Sequence, residues 1–387
     1  MAAPANTPPP FRVDHVGSFI RPKALFDQRT LFEQNECTQE DLKPFEDAAI
    51  AHVVQVQREL GLATITDGEL RRHIFYEGIF NQLGGIKNYW PHIRSFGDMG
   101  FEEFPSCFCM DKIERIRPIF TEDFAALKQL VRPEDVNRLK VNFCPPNWFH
   151  HFHGPDLTYD KSVYANDIEY FKDVGAAYRA EIKELYELGC RNIQIDEPTF
   201  PFFCVDEILD DMRKQGVDGE RLMDSYIFAI NLCTQDRPKD LNIALHVCRG
   251  NFRGVGFAHT SYERIAQKLF QMVDVSTYMI LEFDDERSGD FTPLRFIPPN
   301  KRVVLGIVTT KSPKLEDPKI LKQRVHEASE VLAAGIPPRS KEWALNQILI
   351  SPQCGFASVW HGNPVTEDDI RAKIRLLHQV ADEVWGR

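Results

Sequence analysis

The second half of the chain contains four residues whose side chains could together bind a zinc ion. His246 and Cys248 end one β-branched run, and Glu282 and Cys354 end two later runs. Zinc in proteins takes four ligands from imidazole nitrogen, thiolate sulfur and carboxylate oxygen. Residues i and i+2 of a strand point to the same side, so His246 and Cys248 can face one ion. Because buried cysteines also fill apolar space, the zinc prediction depends on Glu282 and Cys354 reaching the same point.

The acidic turn that begins at Glu282 also offers rival ligands. Asp284 and Asp285 follow within three residues. The alternation of side chains along a strand favours Glu282 over Asp285 and leaves Asp284 open.

Two other groups of metal-binding residue types have more ordinary interpretations. Cys107 and Cys109 have no second pair nearby, and we expect structural thiols there. His150, His151 and His153 crowd the segment after a β-branched run, close to where a substrate would lie. They could bind substrate or metal, but a solvated loop packed by aromatic residues is the expected arrangement.

A repeated unit must position these side chains. Each unit is a short β-branched run that ends in polar residues and is followed by an amphipathic helix. The runs cover residues 11–18, 62–69, 139–144, 192–197, 242–248, 276–283, 302–310 and 347–354. Thr366 and Asp369 supply the capping signal of the last helix. Eight units in series predict an α/β fold, a single (β/α)8 TIM barrel rather than an open doubly wound sheet.

Polar residues stand where nearly every run ends. They are Gly17, Ser18, Asp67, Glu69, Asp196, Glu197, His246, Cys248, Glu282, Thr310, Lys311 and Cys354. Burying a carboxylate or thiol in an apolar strand costs several kcal/mol unless it is paired or bound to metal. The carboxyl ends of barrel strands form one face, which carries the active site in TIM-barrel enzymes. We therefore expect these side chains to converge on that face.

The series of units has one long interruption. Residues 74–137 separate the second and third runs, and we expect an insertion at the barrel rim. It could carry a lid or a contact between subunits of a homo-oligomer, but an elaborated surface subdomain is the expected arrangement. Its aromatic residues include Tyr89, Trp90, Phe96, Phe101, Phe104 and Phe108. Residues 1–10 predict a flexible proline-rich tail, and residues 11–387 a single catalytic domain.

Composition excludes several classes of partner. The 387 residues include 46 basic and 57 acidic side chains, a net charge of −11. Nucleic acids and anionic membranes bind best to basic protein surfaces, so neither is the expected partner of this acidic chain. No stretch approaches the roughly 20 apolar residues of a membrane-spanning helix. Nine scattered cysteines and a first segment unlike a secretory signal predict the reducing cytoplasm.

The order of these motifs resembles a known family. The chain has GSF at 17–19, DGE at 67–69, IDEP at 195–198, HxC at 246–248 and CG at 354–355. This order resembles the carboxyl-terminal barrel of cobalamin-independent methionine synthase, and more closely its stand-alone, single-barrel relatives. Their superfamily also includes uroporphyrinogen decarboxylase. The resemblance extends from His15 to the final helix.

The resemblance implies roles for individual residues. The four residues of the zinc prediction match the family's ligands. Gly17 and Ser18 match the loop that holds the amino-acid carboxylate, while Glu69 and Asp196 match the acceptors of the homocysteine ammonium group. The implied reaction is attack of a zinc-bound thiolate on an alkyl donor such as methyltetrahydrofolate. Asp196 and Lys311 are the predicted catalytic residues.

Lys311 is where the chain departs from the family pattern. The family has a proton-donating histidine after strand seven, whereas residues 309–313 read TTKSP. Lys311 could donate a proton if its pKa were lowered, or could bind an anionic substrate. This departure, and the lack of an amino-terminal folate-binding barrel, keep a second function open: thiol addition to an epoxide or activated alkene, or the reverse lyase step. A metal-free decarboxylase and a non-catalytic zinc-binding barrel are further alternatives.

Overall fold

The structure is a computed structural model. It describes residues 8–89, 106–153, 155–256, 258–275 and 278–386. Outside the described residues lie 1–7 of the predicted tail, Trp90, Phe96, Phe101 and Phe104 of the insertion, and the side chains of His151 and His153.

The strands of the described residues form two sheets. In chain order they are β1 (Leu83–Tyr89), β2 (Ser106–Arg115), β3 (Lys140–Phe143), β4 (Asn192–Glu197), β5 (Asn242–Val247), β6 (Tyr278–Glu282), β7 (Arg302–Val308) and β8 (Ile348–Pro352). Strands β1 and β2 pair antiparallel. Strands β3 to β8 form a parallel sheet whose spatial order follows the order along the chain. This arrangement is the one that a run of βα units produces.

The first two β-branched runs close this sheet into a barrel. Val13 bridges to Ile350 of β8, and Ile65 bridges to Leu139 immediately before β3, both in parallel orientation. Residues 11–18 and 62–69 therefore occupy the two remaining barrel positions. The predicted α/β TIM-barrel fold is confirmed.

These two runs differ from the regular strands that the pattern predicts. Among the described residues each contributes a single bridge, and side chains hold the two segments together. Thr64 Oγ1 donates to Asp14 Oδ1 at 2.6 Å, and Thr66 Oγ1 donates to the Gly17 carbonyl at 2.6 Å. Gly17 has a φ of 143°, which interrupts the extended backbone. Side-chain hydrogen bonds thus replace part of the backbone ladder.

Helices cover the outside of the barrel. In chain order they are α1 (Lys23–Glu33), α2 (Gln39–Glu59), α3 (Thr121–Lys128), α4 (Trp148–His153), α5 (Asp167–Glu187), α6 (Asp206–Lys214), α7 (Gly219–Thr234), α8 (Glu263–Met272), α9 (Pro318–Ala333), α10 (Lys341–Asn346) and α11 (Glu367–Trp385). The predicted cap of α11 is confirmed, because Thr366 and Asp369 form a reciprocal capping box. The connection from β6 to β7 contains short 3₁₀ helices instead, where Pro293 and Pro298 oppose an α-helix. No described helix has the length and apolarity that crossing a membrane requires.

The predicted insertion contains the β1–β2 hairpin and α3, and it is anchored on α5. Arg115 at the end of β2 donates to Glu181 at 2.7 Å and to Glu184 at 2.9 Å. Glu181 is fully buried and also accepts the backbone N–H of Phe120 at 2.6 Å. The described part of the insertion is therefore held against the barrel wall. That residues 11–387 form one catalytic domain, and residues 1–10 a tail, stays a prediction.

Apolar residues fill two regions of the molecule. The larger region lies between the sheet and the helices. The smaller one includes Ala244, Ile280, Val304 and Leu349, which lie on neighbouring strands of the barrel. Polar side chains lie above this smaller layer, at the carboxyl ends of the strands, as the fold requires of a barrel enzyme.

Candidate metal and substrate site

The four residues of the zinc prediction meet at one point. His246 lies near the end of β5, Glu282 ends β6, and Cys354 follows β8 by two residues. One possible ligand atom from each of these residues and Cys248 lies within 4.8 Å of the others. The two sulfur atoms are 3.6 Å apart, and His246 Nε2 is 3.9 Å from Glu282 Oε1. The rival Asp284 instead pairs with Lys311.

The hydrogen bonding of these side chains fits a bound cation. All four residues are at most 9% exposed. Among the residues that the structure describes, neither carboxylate oxygen of Glu282 and neither ring nitrogen of His246 has a hydrogen-bond partner. A buried carboxylate without a partner costs several kcal/mol, and a metal ion supplies the missing partner. Imidazole, carboxylate and two thiols are the donor types that zinc binds.

The electrostatics of the cluster agree with this interpretation. Burial raises the pKa of Glu282 to about 8, and the charge of Cys354 adds to the effect. Burial would lower the pKa of His246, but Cys354, Asp196 and Glu282 together raise it to about 9. Hydrogen bonding from Cys248 lowers the pKa of the Cys354 thiol well below its usual value. The surroundings of His246 therefore favour a positive charge at this buried point, as a bound cation would supply.

A pair of carboxylates lies beside His246, Cys248, Glu282 and Cys354, which we call the metal-binding cluster because their side chains could hold a metal ion. Glu69 follows the second barrel segment, and Asp196 lies on β4 next to His246 in the register. The Asn142 Nδ2 group donates to Glu69 Oε1 at 3.0 Å and to Asp196 Oδ2 at 3.1 Å. Burial raises the pKa of Glu69 to about 7 and that of Asp196 to about 6. The two predicted ammonium acceptors are thus adjacent.

Gly17 and Ser18 have different positions relative to this pair. Ser18 lines the cavity that contains the carboxylates, and its hydroxyl oxygen accepts the N–H of Ala357 at 3.3 Å. Gly17 is not among the lining residues. A Cβ at Gly17 would be 2.3 Å from Asn142 Nδ2, so this glycine makes room for the asparagine.

One open cavity is lined by His246, Cys248 and Cys354 of the metal-binding cluster and by both carboxylates of the pair. Its other polar lining residues include Ser18 and Asn251. Its apolar lining is largely aromatic and includes Phe75, Tyr76, Trp148, Phe202 and Phe252. A ligand in this cavity can therefore contact both polar groups and an apolar surface.

Proton donation by Lys311 requires a lowered pKa, and the structure does not provide one. Its Nζ atom lies 3.3 Å from Asp284 Oδ2, and it lines a smaller neighbouring pocket rather than the main cavity. Burial alone would lower the pKa of Lys311, but Glu282 and Asp284 raise it above the ordinary lysine value. Lys311 is therefore a paired cation in this structure.

His150 packs among aromatic side chains as predicted, but the prediction of a solvated loop was wrong, because the residue lies buried in helix α4. Its Nδ1 atom is 3.0 Å from the Tyr226 hydroxyl, and its Nε2 atom is 2.9 Å from Asp167. The ring also packs against Phe171. The two cysteines of β2, Cys107 and Cys109, are likewise buried and unpaired.

Two asparagines of the site were not predicted. Asn142 lies two residues after Lys140 on β3, and Asn251 lies three residues after Cys248. Asn251 Nδ2 donates to the Gly355 carbonyl at 2.8 Å, which ties the loop after β5 to the loop that carries Cys354. Their positions near strand ends could have identified them as site residues. A neutral amide side chain, however, gives no further sign of a functional role in the sequence.

Comparison with known proteins gives consistent results over most of the chain. The family model of the cobalamin-independent synthase catalytic domain matches residues 152–382. The uncharacterised protein YxjH of Bacillus subtilis is 34% identical over 97% of this chain and 95% of its own. A methionine synthase of Saccharolobus solfataricus is 25% identical over 88% of this chain and 86% of its own.

A solved structure agrees with these sequence matches. A proposed vitamin-B12-independent methionine synthase of Listeria monocytogenes superposes with a TM-score of 0.75 at 28% identity. The superposition covers 98% of this chain and 100% of the other. With a barrel of the same fold and a family match to more than half of its residues, the chain belongs to the cobalamin-independent methionine synthase family.

Proposed function

We propose that this protein is a zinc-dependent transferase that moves an alkyl group, most simply methyl, to the thiol of homocysteine. The observation that carries the proposal is the meeting of four buried ligand side chains, three of which line a cavity that also contains a carboxylate pair. Family membership supports the same chemistry. An amino-acid thiol such as homocysteine has a thiol for the metal-binding cluster, an ammonium group for the carboxylate pair and a carboxylate for Ser18.

The chain's own residues would bind and orient the thiol. His246, Cys248, Glu282 and Cys354 would hold zinc, which keeps a bound thiol in its thiolate form at neutral pH. Glu69 and Asp196 would accept the ammonium group, and charge-assisted hydrogen bonds of this kind are stronger than neutral ones. Ser18 would contact the carboxylate of the same substrate, in a loop that Gly17 keeps close to Asn142.

The alkyl donor would lie against the aromatic side chains of the cavity. These side chains fit a flat or apolar donor such as methyltetrahydrofolate, and a donor packed on them would exclude water from the reacting thiolate. As the new C–S bond forms, the bond from the alkyl carbon to the donor nitrogen breaks, and that nitrogen takes up a proton. Asp196 is the carboxyl group next to the metal-binding cluster, and we assign it to hold or supply that proton. Lys311, paired with Asp284, would provide positive charge rather than a proton.

The Lys311 pair also favours a second candidate function. Ring opening of an epoxide by a thiolate produces an alkoxide, and a fixed cation can stabilise it. Zinc-loaded protein assayed with one thiol, and with methyltetrahydrofolate and an epoxide side by side, separates the two functions. Product from the epoxide alone would replace methyl transfer as the proposed reaction.

Nine unpaired cysteines lead us to propose the cytoplasm as the location. The partners that follow from the proposal are small molecules, with neither nucleic acid nor membrane among them.

Metal content provides the direct test of the proposal. We expect about one zinc per wild-type polypeptide, and loss of both zinc and alkyl transfer in Cys354→Ser and Cys248→Ser. Cys190→Ser is the matched control, because Cys190 is also buried but its thiol donates to the nearby Asn192 carbonyl at 3.3 Å and is not part of the metal-binding cluster. It should keep its zinc. Transfer by a zinc-free Cys248→Ser protein would contradict the proposal.

A further inference from the structure

Asn142 joins the two carboxylates that line the cavity. Its Nδ2 group donates to Glu69 Oε1 at 3.0 Å, to Asp196 Oδ2 at 3.1 Å and to the Val16 carbonyl at 2.8 Å. The opposite orientation of the amide would place its oxygen against three acceptors. The contacts therefore fix which side of Asn142 faces the pair.

The second donor to this pair is also a neutral amide. Gln194 Nε2 donates to Asp196 Oδ1 at 2.6 Å, while Gln194 Oε1 accepts from Lys140 Nζ at 3.1 Å. The glutamine thus lies between the lysine and the aspartate. Asp196 is therefore held by hydrogen bonds from two neutral amides rather than by a direct ion pair.

Glu69 has an oxygen left for a ligand. Its side chain is only 3% exposed and lines the cavity, and its Oε2 atom has no hydrogen-bond partner within the described part of the chain. Its backbone φ of 58° is unusual for a non-glycine residue. Such strain persists where the surroundings hold a side chain in a required position. Two adjacent carboxylates held by neutral donors, with one free acceptor, are suited to a cation.

We propose that Asn142 is a positioning residue that holds Glu69 and Asp196 together as one receptor for the substrate's ammonium group. This inference rests on the proposed function and extends it to a residue outside the family motifs. The amide brings two like charges to one nitrogen without neutralising them. Its loss would let the carboxylates move apart, and the substrate's amino group would lose its receptor.

The test compares two thiols that differ only in the amino group. Isothermal titration of zinc-loaded protein with homocysteine and with 4-mercaptobutanoate measures how much the ammonium group contributes to binding. In Asn142→Leu we expect the dissociation constant of homocysteine to rise at least about tenfold, the loss expected for hydrogen bonds to charged groups. Binding of 4-mercaptobutanoate and the zinc content should stay the same.

A matched control and a second variant complete the design. Asn346→Leu removes another buried asparagine, whose Oδ1 accepts from Arg12 at 2.9 Å where β8 begins, and it should keep the wild-type preference for homocysteine. Asn142→Ser removes the same contacts with less bulk, in case the leucine variant does not fold.

The outcomes separate the inference from the proposed function. Weaker binding of homocysteine alone supports the positioning role. An Asn142 variant that retains the preference, or loses both thiols equally, overturns that role while the function stands. A wild-type protein that does not distinguish the two thiols overturns both.

Discussion

Two glycines at the mouth of the barrel permit contacts that a Cβ atom would prevent. A Cβ at Gly17 would be 2.3 Å from Asn142 Nδ2, and one at Gly355 would be 2.0 Å from Ser18 Oγ. The first contact lies beneath the carboxylate pair, and the second joins the Ser18 loop to the loop of Cys354. A single added Cβ atom at either glycine would therefore push apart segments that form the site.

Replacing Gly17 with alanine tests this at the residue scale. We expect Gly17→Ala to lower the free energy of unfolding by about 1–3 kcal/mol through backbone strain, with a further loss from the clash. Gly61→Ala is the matched control, because Gly61 also has a positive φ (67°) but a Cβ there meets nothing within 4 Å. Denaturant unfolding measures both. Equal losses would mean that the contact with Asn142 is unimportant.

At the scale of elements, one arginine fixes two loops of the site. Arg21, just before α1, donates to the carbonyls of Glu69 and Arg72 at 2.9 Å each. It also donates to the carbonyls of Ala357 at 2.7 Å and Val359 at 3.2 Å. The loop that follows the second barrel segment and the loop that follows β8 are thus connected through one guanidinium group.

Removal of this side chain should loosen both loops. We expect Arg21→Ala to cost about 2–4 kcal/mol of stability, because four carbonyls lose a charged donor. Amide hydrogen exchange should accelerate in residues 69–72 and 355–359. Lys23→Ala, which breaks an exposed ion pair with Asp27, should change stability by less than about 0.5 kcal/mol. Unchanged exchange in both loops would show that Arg21 is not what holds them.

The sequence patterns predicted the strands and helices well, but they did not predict the side-chain contacts between these elements. Alternation along β5 and β6 was enough to bring His246 and Glu282 toward one point, because side-chain direction in a strand is a local property. The pairing of residues 11–18 depends on the bond from Thr64 to Asp14, which joins residues 50 positions apart. Lys311 likewise finds Asp284 only through the fold. Such contacts have no local signature.

At the scale of the whole molecule, the metal-binding cluster connects distant parts of the chain. Its side chains come from β5, β6 and the loop after β8, and the two cysteines are 106 positions apart in sequence. A metal ion bound there would link three strands of the sheet. The unfolded chain cannot form this site, so binding stabilises only the folded state.

Thermal unfolding should therefore depend on zinc. We expect added zinc to raise the Tm of metal-depleted protein, by an amount that corresponds to about 2.7 kcal/mol at a hundredfold excess over the Kd. Chelation should reverse the shift, and Cys354→Ser should show no response to either treatment. Calorimetry at several zinc concentrations measures the effect. If the Tm of the wild-type protein were the same with and without bound zinc, the metal would not be bound at the buried cluster.

The incomplete backbone ladder at residues 11–18 and 62–69 has a mechanical consequence. Strands β3 to β8 share continuous parallel pairing, so that arc of the barrel resists widening. In the described residues, segments 11–18 and 62–69 contribute one β-bridge each and are joined to each other by side-chain hydrogen bonds. This part of the barrel is therefore the more compliant one. The arc from β5 to β8 carries the metal-binding cluster, and a metal ion bound there would tolerate little displacement of its ligands. The more compliant arc carries Ser18 and Glu69, to which we assign substrate binding, and widening there would let a substrate enter and leave.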